Sequence, residues 1–130
     1  MMIRGVRGAI TVEKNTPEAI LSATKELLRA MIEANAIEEE AVASVMFSST
    51  PDLNAAYPAR AARDLGWRQT ALMGFQEMEV PDGLPRCIRI LVHWNTEKVL
   101  ADLNHIFLRD AAVLRPDLTA PDNLDNNGRG

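Results

Sequence analysis

An α+β fold, with a single mixed β-sheet and helices on one face, is what this chain predicts. Three observations carry the expectation. Strand-like and helix-like runs follow one another in the order β-α-β-α-ββ-α-β. A long segment beginning at Pro17 has an apolar stripe at helical spacing. Two later apolar runs are separated by Pro81-Asp82-Gly83, a strong turn signal, and read as an antiparallel hairpin.

The first strand is expected over about residues 2–12, where Gly5 and Gly8 suggest a bulge or a close approach of another backbone. Thr16 is suited to cap a helix and Pro17 to occupy its first position. Ile20, Leu21, Ala23, Thr24, Leu27, Leu28, Met31 and Ile32 form the buried stripe of that helix, and Glu18, Lys25, Glu26, Arg29 and Glu33 lie mostly off it. Glu38 to Glu40 read as a solvated turn. A second strand over residues 43–49 is broken by Thr50-Pro51-Asp52. A short helix follows over about 58–65, with Gly66 at its C-terminal stop and with Arg60 and Arg63 on one face. The third strand is placed at about 70–80 and the fourth at 86–94. Thr96 is expected to cap a short helix over 97–104 that turns Val99, Leu100 and Leu103 inward. Residues 105–114 read as a fifth extended segment. The whole forms one domain, 1–118, followed by a Pro-, Asp-, Asn- and Gly-rich tail, 119–130, of mobile character. Such a sheet leaves one face without helices, and a homo-oligomer is the natural cover for it.

Composition narrows the function. A chain of 130 residues is long enough to bury a core. No run of about 18 apolar residues is present, so no membrane-spanning helix is expected. The N-terminus enters a strand pattern directly and does not read as a signal peptide. A single cysteine, Cys87, excludes an internal disulfide and fits a reducing cytoplasm. The net charge of −4 argues against nucleic acid as the main partner.

The chemistry is suggested by arginines. Arg89 interrupts the apolar run Cys87-Ile88-Arg89-Ile90-Leu91-Val92. A charge there must reach solvent, pair with an acid, or face a bound anion, because an unpaired buried charge costs several kcal/mol. Glu77, on the preceding strand-like run, is a candidate partner, and Arg7 adds a second cation on the first strand. The residues alone also allow a purely structural Arg89–Glu77 ion pair, and Arg60 and Arg63 allow a purely solvated helix face. Nucleophilic catalysis is poorly supported: no histidine adjoins Cys87, and no G-x-S-x-G elbow frames Ser48, Ser49 or Thr50. His93 and His105 lack metal-ligand spacing, and Arg4-Gly5-Val6-Arg7-Gly8 matches no phosphate-binding loop, so neither metal nor cofactor is expected. What remains is an arginine site with one carboxylate, able to bind a small dianion and to stabilise developing negative charge.

Several linked segments together resemble a known family. They are Met1-Met2-Ile3-Arg4-Gly5-Val6-Arg7-Gly8-Ala9, Thr50-Pro51-Asp52-Leu53, Tyr57-Pro58-Ala59-Arg60-Ala61, Gln76-Glu77-Met78, Cys87-Ile88-Arg89 and Val113-Leu114-Arg115-Pro116-Asp117-Leu118. Over about residues 1–118 the chain is similar to the monofunctional, trimeric chorismate mutases of the bacterial α/β type, as opposed to the all-helical type. The resemblance implies a trimeric pseudo-α/β-barrel and a cofactor-free Claisen rearrangement of chorismate to prephenate, toward phenylalanine and tyrosine. It implies active sites at the interfaces of a cytoplasmic homotrimer. Arg89 is implied as the cation at the breaking ether bond, Arg7 as a ligand on the carboxylate and ether side, and Glu77 as acceptor for the ring hydroxyl. Arg60, Arg63 and Arg115 are implied around the carboxylates, with Tyr57, Ala59, Met73, Gly74 and Leu114 as pocket walls. Three positions depart from the family pattern: Tyr57 stands where phenylalanine is frequent, Phe107 where tyrosine is usual, and Gly74 where a bulkier residue, often cysteine, is found. A trimeric enamine/imine deaminase, or a binding module for an anionic metabolite, would use arginines in a similar way.

Overall fold

The computed structural model describes residues 1–115. Its elements are β1 (Met2–Thr11), α1 (Pro17–Asn35), β2 (Val42–Ser49), α2 (Arg60–Asp64), β3 (Ala71–Gln76), β4 (Cys87–Thr96) and β5 (Ile106–Leu108), joined in part by 3-10 turns at Glu39–Ala41, Leu100–Asp102 and Arg109–Leu114. The strands form one sheet in the order β3-β2-β4-β1-β5. Antiparallel pairings join β4 to β1 and to β2, and parallel pairings join β1 to β5 and β2 to β3. The mixed sheet with helices on one face is therefore the expected fold.

α1 begins as its sequence dictates. The Thr16 hydroxyl accepts from the Ala19 amide at 3.1 Å, and Pro17 takes a position whose amide would lack a helical partner anyway. Ile20, Ala23, Thr24, Leu27, Leu28 and Met31 are buried against Val6 and Ile10 of β1, Phe47 of β2 and Ile88, Ile90 and Val92 of β4. Burying each large apolar side chain contributes about 1.5–3 kcal/mol, which makes this face the main source of stability. Gly8 lets α1 approach: a Cβ there would lie 2.5 Å from Met31 Sδ and 3.2 Å from the Ile106 carbonyl. β1 pairs with β4 without a register shift, so the glycines mark close approach rather than a bulge; the irregularity lies in β2, between Val42 and Ser44.

The expected hairpin of third and fourth strands is absent. β3 pairs with β2 in parallel after the α2 crossover, and β4 inserts between β2 and β1. The turn at Pro81-Asp82-Gly83 does form, with the Gly83 amide donating to the Val80 carbonyl at 2.8 Å, but it reverses a connecting segment and not two adjacent strands. β3 ends at Gln76, short of the expected Val80, because only through Glu77, whose amide donates to the Ser49 carbonyl, does the chain follow β2. α2 is shorter than expected and is led in by a turn in which the Arg60 amide donates to the Tyr57 carbonyl; Gly66, at φ 102°, ends it. Residues 97–104 contain a single 3-10 turn; Leu103 is buried, whereas Val99 and Leu100 are exposed, and Thr96 closes β4. The last segment is extended only over Ile106–Leu108. Thr11 then draws the chain into the Arg109–Leu114 turn, its carbonyl accepting from Arg109 Nη1 and its hydroxyl from the Asp110 amide. The domain boundary at 118 and the tail lie outside the described residues.

Candidate active site

Strand alternation explains Arg89. On β4, Ile88, Ile90, Val92 and Trp94 face the helices, which puts Cys87, Arg89, Leu91 and His93 on the opposite face. Among the described residues no α-helix covers that face, and only the Arg109–Leu114 turn packs on it, against Ala9, Cys87 and Phe107. The run looks uniformly buried in the sequence because both faces carry apolar residues, yet the Arg89 side chain keeps 42% of its exposure. Strand register then aligns one row across the whole sheet: Phe75, Ser48, Arg89, Ala9 and Phe107. The next row is Met73, Met46, Leu91, Arg7 and His105, the last bonding the Arg7 amide through Nδ1 at 3.0 Å. Small Ser48 and Ala9 beside Arg89 leave a cleft of about 290 Å³ with both guanidinium-bearing residues, Arg7 and Arg89, in its lining.

Each cation is held differently. Arg7 lies over the Phe107 ring, 5.4 Å from its centroid, and Phe107 is buried on Ala9, Cys87 and Ala111 with Leu114 packed alongside. Arg89 Nε lies 3.5 Å from Glu77 Oε1, and that oxygen accepts a 2.7 Å hydrogen bond from the Ser48 hydroxyl. Glu77 and Arg89 also line a second cavity of about 290 Å³, with Asp52, Pro81 and Leu84. Asp52 fixes its rim by accepting from the Arg86 amide at 3.0 Å.

Two neighbouring titratable groups, Cys87 and His105, are both shifted toward their neutral forms. Burial pushes the Cys87 thiol up from its usual range, and Arg89 opposes this only in part, so the sulfur stays a neutral thiol at neutral pH. Burial, followed by the charge of Arg7, lowers His105, which favours the neutral ring that accepts from the Arg7 amide. Among the described residues no group of acidic, histidine and cysteine side chains has the arrangement of a metal site.

Sequence-predicted residues fall into two sets. Arg7, Arg89 and Phe107 share the cleft, Glu77 pairs with Arg89, Leu114 supports Phe107, and half-buried Arg115 follows at the end of the last turn. Tyr57, Arg60 and Gly74 instead line a groove at the β3 edge, with Phe47 and Phe75 as its common wall with the cleft. Tyr57 is 83% exposed there, and Met73 is 60% exposed on the uncovered sheet face. Ala59 packs against the core margin, and exposed Arg63 lines neither cavity. Phe75 carries no signal in the sequence, and Ser48 and His105 are considered there only as a nucleophile and a metal ligand. Their signal is register, which places them beside the arginines only once the strands are paired.

The family model for chorismate mutase type I matches residues 3–118. Chorismate mutase AroH of Thermus thermophilus is 52% identical over 90% of this chain and 97% of its own length. Chorismate mutase AroH of Bacillus subtilis is 44% identical over 96% of this chain and 99% of its own. A solved chorismate mutase from Clostridium thermocellum superposes with a TM-score of 0.83 at 45% identity, covering 85% of this chain and 98% of that one. With such matches over nearly its whole length, and with an arginine-lined cleft on an uncovered sheet face, this chain belongs to the chorismate mutase type I family of isomerases.

Proposed function

We propose that this chain rearranges chorismate to prephenate at sites shared between the protomers of a cytoplasmic homotrimer, with Arg89 as the group that meets the ether oxygen. The observation that carries the reading is the convergence of Arg7 and Arg89 on one cleft beside a single carboxylate, Glu77. The reaction needs nothing more. One carbon–oxygen bond breaks and one carbon–carbon bond forms within the same molecule, and no proton or group is exchanged with the enzyme.

Catalysis then has two parts. Cations around both carboxylates select the folded conformer in which the reacting carbons meet, removing much of the entropic barrier. Arg7, Arg60, Arg63 and Arg115 serve this end, and Glu77 accepts from the ring hydroxyl. As the ether bond breaks, electron density gathers on its oxygen, and a guanidinium fixed there stabilises the transition state more than the ground state. The Phe107 ring under Arg7 limits that side chain's freedom before substrate arrives. Because Phe107 carries no hydroxyl, the substrate contacts on this side fall to Arg7.

Trimerisation is supported by the division of the residues. Within one chain Tyr57, Arg60 and Gly74 line a groove separate from the Arg89 cleft, as two halves of a site would. Met73, Phe75 and Met78, on or just after β3, are exposed apolar side chains suited to burial against a second copy. One buried free thiol suits the cytoplasm. Incubating the purified protein with chorismate and following its diene absorbance tests the reading. Loss of absorbance without ammonia release is expected. Unchanged absorbance would point to a binding module, and ammonia release from an enamine substrate to a deaminase.

A further inference from the structure

We propose that Ser48 is a positioning residue for the rearrangement: its hydroxyl holds the Glu77 carboxylate away from a closed pair with Arg89, leaving that guanidinium free for the substrate. This rests on the reading of Arg89 and Glu77 given above.

Three observations place Ser48 in that role. It stands directly opposite Arg89 in the β2–β4 register, on the uncovered face, and lines the same cleft. Its hydroxyl donates to Glu77 Oε1 at 2.7 Å, and Arg89 Nε stops at 3.5 Å from that same oxygen. Arg89 Nε is buried, and among the described residues no acceptor bonds it. An arginine and a glutamate this close frequently adopt the two-pronged pairing that uses both carboxylate oxygens and two N–H groups. Here the serine supplies one of the hydrogen bonds the carboxylate seeks, and the pair stays open. A closed pair would use the donors that the ether oxygen needs.

The effect belongs to the transition state, because the ether oxygen gains charge only there. Ser48→Ala is expected to lower kcat by about tenfold to a hundredfold, the range for a hydrogen bond to a charged group. KM should rise by less than kcat falls, since the carboxylate ligands are untouched and only the Glu77 contact to the ring hydroxyl is disturbed. Ser48→Thr restores the hydroxyl and should bring kcat back to within about threefold of the parent. In the ligand-free protein, the Arg89 Nε–H resonance in a ¹⁵N spectrum should shift to a hydrogen-bonded position with slowed solvent exchange in Ser48→Ala, and stay in place in Ser48→Thr.

Parental kcat in Ser48→Ala, a loss that Ser48→Thr does not restore, or an Arg89 Nε–H signal unmoved by the alanine would each overturn the proposal. Arg89→Lys serves as the control for the reading beneath it. If that variant kept parental kcat, the role given to Arg89 would fall, while the spectrum would still decide whether Ser48 holds Glu77 open.

Discussion

A guanidinium and an ammonium carry the same charge but not the same geometry, and Arg89 is where that difference is most exposed. Its planar fork presents several donors at once, whereas lysine offers a compact point charge on a flexible stem. Arg89→Lys should lower kcat by about 10²–10³-fold, the usual loss when one preorganised donor is removed, measured by chorismate turnover. His105 makes a separate, pH-dependent contribution. Burial first, then the Arg7 charge, lowers its pKa, and the neutral ring accepts the Arg7 amide hydrogen. The charged group facing it is Arg7 on β1, and the segment before it is tied to α1 by uncharged Asn35 and Asn104. The folded protein therefore binds fewer protons at this site than the unfolded chain. Stability is full above the unfolded value near about 6.5 and declines as pH falls through it toward the lower folded value. Thermal melts of the parent should fall below about pH 6, and His105→Asn, which keeps an acceptor but no titration, should flatten this decline. Because no proton moves in the chemical step, kcat is expected to be nearly level from about pH 6 to 8.

Elements were legible wherever local chemistry decided them. Thr16-Pro17, the stripe from Ile20 to Met31 and the stop at Gly66 all speak through contacts within a few residues, and α1 and the end of α2 follow from them. Pairing was not legible. Pro81-Asp82-Gly83 made a hairpin of two strands that are not neighbours, because a turn motif reports a local reversal and not what lies on either side of it. The same blindness hid Ser48, whose importance depends on standing opposite Arg89 in a register that only the assembled sheet defines. Gly8 shows the converse, a sequence signal whose meaning the packing supplies. Gly8→Ala would press a methyl group against Met31 and the β5 backbone, and a cost of about 1–3 kcal/mol in chemical denaturation is expected. The cap is smaller: Thr16→Ala should lose about 1 kcal/mol.

At the scale of the molecule, the sheet has a face covered by α1 and α2 that holds the core and an opposite face, without an α-helix among the described residues, that holds Arg7 and Arg89. Arg7, Glu77 and Arg89 could be singled out in the sequence because charges on core strands are costly, and the structure brings these three together. Tyr57, Met73 and Gly74 could be named only through family resemblance, Arg60 and Arg63 stood out only as two cations on one helix face, and one chain does not gather these five around Arg89. A second copy is the physical remedy. Sedimentation should give three times the 14.3 kDa chain mass, and Met73→Glu, by placing a charge on the exposed apolar face, should shift the protein toward monomer and remove turnover while the far-ultraviolet dichroism persists. The most direct test of the central claim is a crystal structure with a bicyclic diacid that mimics the folded transition state. The expected result has the mimic between two protomers, its ether oxygen within hydrogen-bond distance of the Arg89 guanidinium and its hydroxyl on Glu77. A mimic bound within a single protomer, or one whose ether oxygen faces any group other than Arg89, would contradict it.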